Sequence, residues 1–151
     1  MSVEPLIKPW HSLIFGVYGD PIPQGSMRSL GPKRMIASNY EALMQWRESV
    51  RQAAIVAMAG NGPMPPGIPV VARLKFRVKR PTSAPKRVEF PARRPDLDKY
   101  IRAVFDALTL SCVADDAQIV AVYASKEFAG SYHMPGVAIR LSLPERSVNG
   151  R

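Results

Sequence analysis

The chain predicts an α+β domain, a small mixed β-sheet covered by two main helices, in the order strand, helix, strand, helix, strand, strand. Three patterns carry that expectation. Apolar residues recur at helical spacing from Leu43 to Met58 and again from Leu97 to Leu108, and between them they alternate strictly from Val70 to Val78. At 151 residues and 46% hydrophobic content the chain can bury one adequate core. A single domain over residues 1–151 is expected, with 1–11 and 144–151 as peripheral tails.

Leu13 to Tyr18 is a short apolar run closed by Gly19-Asp20-Pro21, which reads as a strand entering a loop. Pro21-Ile22-Pro23-Gln24-Gly25-Ser26 excludes regular structure, and Arg28, Lys33 and Arg34 make the continuation basic. Ser38-Asn39-Tyr40-Glu41 has capping-box spacing. Behind it Leu43, Trp46, Val50, Ala53, Ala54, Ala57 and Met58 line a helix of about twenty residues that Gly60 stops. Trp46 is read as core rather than as a platform for bases.

Residues 61–69 form a Pro/Gly connector. Val70, Ala72, Leu74, Phe76 and Val78 then alternate with Val71, Arg73, Lys75, Arg77 and Lys79, a strand with one buried and one basic face. The basic face has two readings: a solvated edge that resists aggregation, or a contact surface for phosphates. Arg80 to Pro95 is a proline-broken basic loop, expected to be mobile until it meets a partner. Leu97, Tyr100, Ile101, Val104, Phe105 and Leu108 fit one helical face, so the second helix starts around Asp96-Leu97. Gln118 to Ala124 is apolar on both faces and reads as a central strand. Val137, Ile139, Leu141 and Leu143 form the last alternating strand.

The charge is unevenly placed. The chain carries 21 Lys and Arg against 12 Asp and Glu, a net +9. Residues 71–95 hold nine of the cations (Arg73, Lys75, Arg77, Lys79, Arg80, Lys86, Arg87, Arg93 and Arg94) against one acid, Glu89. Such concentration marks a surface for nucleic acid or an anionic membrane. A membrane helix would need bulky apolar residues opposite the charges, whereas this segment alternates like a strand and breaks at prolines. Nucleic acid is favoured. No apolar run reaches the ~18–20 residues of a bilayer span, and Met1-Ser2-Val3-Glu4-Pro5 lacks the features of a signal peptide. The single cysteine, Cys112, excludes an internal disulfide and fits a reducing cytoplasm, with a small core residue as its expected role.

Five of the twelve carboxylates fall between residues 96 and 116. Asp96 and Asp98 flank Leu97, whose side chain faces the core, and lie at a helix N-terminus that favours negative charge. Asp115-Asp116 precedes the next strand. There 116, 118 and 120 would share one face, so Asp116 is expected to meet the first pair if that strand lies beside the helix N-terminus. Three converging carboxylates make a hard-oxygen site suited to Mg²⁺ or Mn²⁺. Such ions activate water and stabilise a leaving oxygen in phosphodiester hydrolysis, which points to a metal-dependent nuclease. The bland alternative makes Asp96 a cap, Asp98 a surface acid and Asp115-Asp116 a turn. Two rivals from other classes are a basic DNA-binding protein that does not cut and a small-molecule phosphatase.

The wider string Arg94-Pro95-Asp96-Leu97-Asp98-Lys99-Tyr100-Ile101-Arg102-Ala103-Val104-Phe105-Asp106-Ala107-Leu108-Thr109, followed by Asp115-Asp116-Ala117-Gln118-Ile119-Val120, closely resembles the signature of RusA-type Holliday junction resolvases. The stretch from Tyr18 to Ser26 is similar to that family's early Gly/Pro loop, so the resemblance spans roughly residues 13–142. It implies a homodimeric, Mg²⁺-dependent endonuclease that cuts four-way DNA junctions by paired nicks during recombination and repair, of a kind found in bacteria, phages and prophages.

Carried over by position, Asp96 and Asp98 match the first acidic pair of the family's metal site, and Asp115-Asp116 the later one, with Asp116 favoured. Arg102 stands where the family usually has a catalytic lysine; it keeps the charge and can fork onto phosphate. Lys99 replaces the usual asparagine and joins the cations expected on DNA, and Leu110 replaces a glycine often found after the helix. His11 and His133 have no metal-ligand spacing. Asp106 is placed to pair with Arg102 at i+4, and Lys126 is a candidate neighbour of the phosphates.

Overall fold

The computed structural model describes residues 11–25, 27–29, 35–37 and 39–145. The tails expected at 1–11 and 144–151, and Ser38, Lys33 and Arg34, fall largely or wholly outside these. The elements are β1 (Ser12–Tyr18), β2 (Met27–Ser29), β3 (Met35–Ala37), α1 (Tyr40–Met58), β4 (Val70–Val78), α2 (Leu97–Leu108), a single 3₁₀ turn (Asp116–Gln118), β5 (Ile119–Phe128) and β6 (Gly136–Ser142). The α+β order expected from the sequence is the observed one. It gains a short antiparallel ladder between β2 and β3 in the stretch read as loop.

The main sheet runs β1-β6-β4-β5. β6 is antiparallel to β1 and to β4, while β4 and β5 are parallel and joined through α2. Both helices lie on one face. Leu43, Trp46, Val50, Ala54 and Met58 of α1, with Tyr100, Ala103, Val104, Ala107 and Leu108 of α2, bury against Val70, Ala72, Leu74 and Phe76 of β4 and Val137, Ile139 and Leu141 of β6. Phe76 and Tyr100 stack with ring centroids 5.3 Å apart, which fixes the first turns of α2 over β4. Gly136 opens β6 because a Cβ there would stand 2.1 Å from the Val17 carbonyl oxygen, so only glycine lets β1 and β6 approach.

Three local expectations need correction. β5 is the edge strand, not a central one: β6 returns to fill the place beside β4, leaving Val120 at 61% and Tyr123 at 60% exposed. The N-cap of α1 is Asn39 rather than Ser38, which lies outside the described residues; the Asn39 side chain makes no capping bond and donates instead to the Pro23 carbonyl at 2.8 Å. The 80–95 loop, expected to be mobile until it meets a partner, is folded back on the sheet. Arg80 donates to the carbonyls of Val88 at 2.9 Å and Pro85 at 2.6 Å, and its guanidinium lies 4.8 Å over the Phe128 ring.

Candidate active site and nucleic-acid interface

Asp96 occupies the N-cap of α2 with extended backbone (φ −70, ψ 142), yet its side chain accepts no capping hydrogen bond. Asp98 sits exposed in the first turn. Neither carboxylate forms an ion pair among the described residues. The two acids are held in place by their surroundings. Lys126 of β5 donates from Nζ to the carbonyls of Arg93 and Pro95, both at 2.8 Å, and so clamps the approach to the helix. On the other side the Gln24 N–H donates to the Lys99 carbonyl at 3.0 Å, docking the early Gly/Pro loop on the same turn. Burial, with the Asp20 charge nearby, raises the Tyr100 phenol above its ordinary value. Asp20 thus adds negative charge close to this helix end.

The second acidic pair has a different local role. The Asp115 carboxylate accepts the Ala117 N–H at 2.9 Å, and the Gln118 amide oxygen accepts the Asp115 N–H at 3.0 Å. Gln118 is buried, and its amide nitrogen donates to the carbonyls of Pro65 and Ile68 at 2.7 and 3.0 Å. The 3₁₀ turn is therefore pinned to the connector before β4, where Ile119 pairs with Val70. Lys126, at the far end of β5, touches Pro95.

From Ile119 to Lys126 the strand covers about 23 Å at ~3.3 Å per residue, and the 12-residue α2 is itself about 18 Å long. Asp116 and the Asp96/Asp98 pair thus lie at opposite ends of α2, on the order of 20 Å apart. The convergence expected within the chain does not occur, because the strand's N-terminal end, not its C-terminal end, follows Asp116. Among the described residues no three carboxylate, histidine or cysteine side chains are grouped to hold a metal ion.

Arg102 is exposed and its Nε lies 3.6 Å from Asp106 Oδ1, the i+4 pair expected from the sequence. Asp106 is also bound by Arg47 of α1, which in turn donates to Gln24. The pair ties α2, α1 and the Gly/Pro loop together, and as an exposed ion pair Arg102–Asp106 contributes little to stability by itself.

The bare face of the sheet, opposite the helices, gathers the strand cations. Arg73 is registered with Arg140 of β6 and with Tyr123 of β5, and Lys75 with Ala138 and Ser125. Arg73 lies 5.0 Å over the Tyr123 ring, and Arg77 is paired with Glu127 at 3.0 Å. Lys79, Lys86, Arg87, Arg93 and Arg94 project from the exposed segment that follows β4. Arg80 alone is turned into its own loop. Arg140 and Tyr123 escaped the sequence reading. The signal for Arg140 was present: Val137, Ile139 and Leu141 face inward, so alternation sends Arg140 to the basic side.

Bare carboxylates at the mouth of a cationic surface suit an enzyme that acts on a polyanion, and the class so defined is a nuclease. Residues 19–142 match the family model of endodeoxyribonuclease RusA, and the chain belongs to that family. Membership makes it an endodeoxyribonuclease of the Holliday-junction-resolving kind. The chain is also 27% identical over 123 residues to an uncharacterized protein, YqaN, of Bacillus subtilis (strain 168), over 76% of this chain and 87% of that protein. No helix among the described residues is long and apolar enough to cross a membrane.

Proposed function

We propose that the protein is a Mg²⁺-dependent (or Mn²⁺-dependent) homodimeric endonuclease that resolves four-way DNA junctions in recombination and repair, acting in the cytoplasm. The observation that carries this reading is Asp96: it stands at a helix N-cap, makes no capping bond, and follows the exposed cations Arg93 and Arg94 across Pro95. A carboxylate so placed is spared from folding duty. Arg73, Lys75, Lys79, Lys86, Arg87 and Arg140 supply the phosphate-binding surface, a mode that gives affinity without base readout.

The third acid comes from a second copy. Among the described residues β5 is paired on one side only, and it exposes Val120 and Val122, a free edge suited to isologous antiparallel pairing. Two β5 edges running antiparallel set the Asp116 end of each strand beside the Lys126 end of the other, and Lys126 holds the segment leading to Asp96. Asp96 and Asp98 of one chain then share a site with Asp116 of its partner. The dimer so formed carries two sites related by a two-fold axis, as paired nicking of two strands requires.

The test is cleavage of a labelled four-way junction by pure protein with Mg²⁺, with Mn²⁺ and with a chelator. Paired nicks in either metal, and none with chelator, are expected. Binding without nicking of any branched substrate establishes the DNA-binding rival instead. Hydrolysis of free nucleotides with no salt-sensitive DNA affinity establishes the phosphatase.

A further inference from the structure

We propose that the cleft between the 79–95 loop and the C-terminal ends of β4 and β5 is a pocket for one unstacked nucleobase of the bound DNA, an inference that rests on the nuclease reading above. The cleft is about 370 Å³ and is lined by Phe90, Phe128, Tyr100, Pro85 and Pro91 among others. That size falls within the ~300–1,000 Å³ typical of pockets for small organic ligands. Its lining is mostly apolar and aromatic, and Lys79, Arg93 and Arg94 are among the residues that line it. None of these three cations is paired with an acid among the described residues. An aromatic slot with unpaired cations in its lining is complementary to a nucleotide: the π-face of the base meets the rings and the phosphate meets the cations.

Three further observations support this occupant. Phe90 is 66% exposed, an aromatic face presented to solvent beside the buried Tyr100. The wall is already in place: Arg80 holds the Val88 and Pro85 carbonyls while lying over Phe128, and the Ala84 and Val88 N–H groups close two further turns. A preformed wall loses little conformational freedom when it binds. The cleft also opens beside the acids, since Arg93, Arg94 and Pro95 line it and the next residue is Asp96. A phosphate held near Asp96 and Asp98 therefore places its own or its neighbour's base within reach of the slot.

A stacked, paired base in an unbroken duplex cannot enter. A branch point offers bases that unstack at lower cost, so the pocket would favour branched over linear DNA. It would also discriminate between bases close to the cut, which phosphate contacts alone do not.

The experiment uses the full chain in chelating buffer, with junctions carrying 5-iododeoxyuridine at each position flanking the branch point, matched duplexes, and a single-stranded oligonucleotide. Irradiation is expected to cross-link one junction position and the single strand to Phe90 or Phe128. Phe90→Ala is expected to lower junction affinity about tenfold, the lower range for loss of one base-stacking contact, with less than a twofold change on duplex. Phe90→Leu, which keeps apolar bulk without the ring, should fall between the two, and thermal melts of both variants should match the parent. Cross-links confined to the strand face around Tyr123, or an equal loss on junction and duplex, overturn the pocket while junction cutting keeps the nuclease reading. If no branched DNA is bound or cut, the nuclease reading fails. The single-strand arm still decides the pocket, and absence of a cross-link there overturns it as well.

Discussion

Asp115 and Gln118 cap each other: the Asp115 carboxylate holds the Ala117 N–H, while the Gln118 side chain takes the Asp115 N–H and reaches on to the connector before β4. Two adjacent aspartates are thereby divided. Asp115 is committed to the turn, and Asp116 joins in none of these bonds. The division leaves the Asp116 side chain outside the hydrogen bonds that hold the turn.

Gln118→Ala is expected to destabilise the fold by about 2–4 kcal/mol, because several backbone groups lose partners in a buried setting. Asp116→Asn should stay within about 0.5 kcal/mol of the parent, as surface changes do, yet lose junction cutting. Urea unfolding of both variants beside the cleavage assay checks the pair. A reversed pattern would make Asp116 the structural acid.

Asp96→Ala separates capping from catalysis at the first pair. A working N-cap loses about 1 kcal/mol on this change. Here the carboxylate makes no capping bond, so the loss should be under about 0.5 kcal/mol. Nicking is expected to vanish while junction affinity holds or rises, since a charge facing phosphate is gone. Thermal melts and gel-shift titrations measure the two quantities.

Much of this was legible in the sequence, for physical reasons that also mark its limits. Strict alternation located β4 from Val70 to Val78, and the helical face from Leu97 to Leu108 located α2, because each pattern follows from burial of one side. The β5 run is different. Val120 and Val122 look the same in sequence whether a second strand of this chain covers them or another molecule does. The expected meeting of the acids failed for a separate reason: Asp116 leads into the N-terminal end of β5, while Lys126 near its other end touches Pro95 beside Asp96. The Asp115–Gln118 cap had a readable spacing, an N-cap acid three residues before a glutamine, but the acids drew the chemical reading first.

Leu110 stands in the left-handed region at φ +68 and is 72% exposed, so its side chain gains little burial for the strained backbone. The conformation costs a residue with a Cβ about 1–2 kcal/mol, against about 0.5–1 kcal/mol of extra chain entropy for glycine. Leu110→Gly is therefore expected to stabilise by about 0.5–1 kcal/mol, or about 1–4 °C in Tm for a chain of this size. Differential scanning calorimetry measures the shift.

Alkaline pH should weaken the fold through Cys112 and Tyr100. Burial pushes the Cys112 thiol up from 9.0 to about 11, the Ser111 hydrogen bond partly opposing it, and burial with Asp20 raises Tyr100. Both groups keep their protons in the folded state at pH values where the unfolded chain gives them up. The Cys112 contribution is therefore complete below pH 9 and is lost as pH rises from 9 through about 11, and the Tyr100 contribution is lost as pH rises above 10. Unfolding free energy should fall between pH 9 and about 11, and less steeply in Cys112→Val. A slope unchanged by that substitution would remove Cys112 as a cause.

The last expectation follows from the distance between the acids. Asp116 lies on the order of 20 Å from Asp96 and Asp98 within a chain, since α2 alone spans about 18 Å, so a shared site needs two chains. Two inactive variants, Asp96→Asn and Asp116→Asn, then complement each other. In the mixed dimer one site draws Asp96 and Asp98 from the Asp116→Asn chain and Asp116 from the other, and is whole; the second site lacks both acids. Mixing the variants should restore nicking of one strand per binding event, rising with the fraction of mixed dimers, about half at equal concentrations with free exchange. Were the site confined to one chain, every site in the mixture would lack an acid and no nicking would return. Light scattering on each variant fixes the oligomeric state independently. A strict monomer that shows no complementation would remove the shared site and the paired-cut mechanism together.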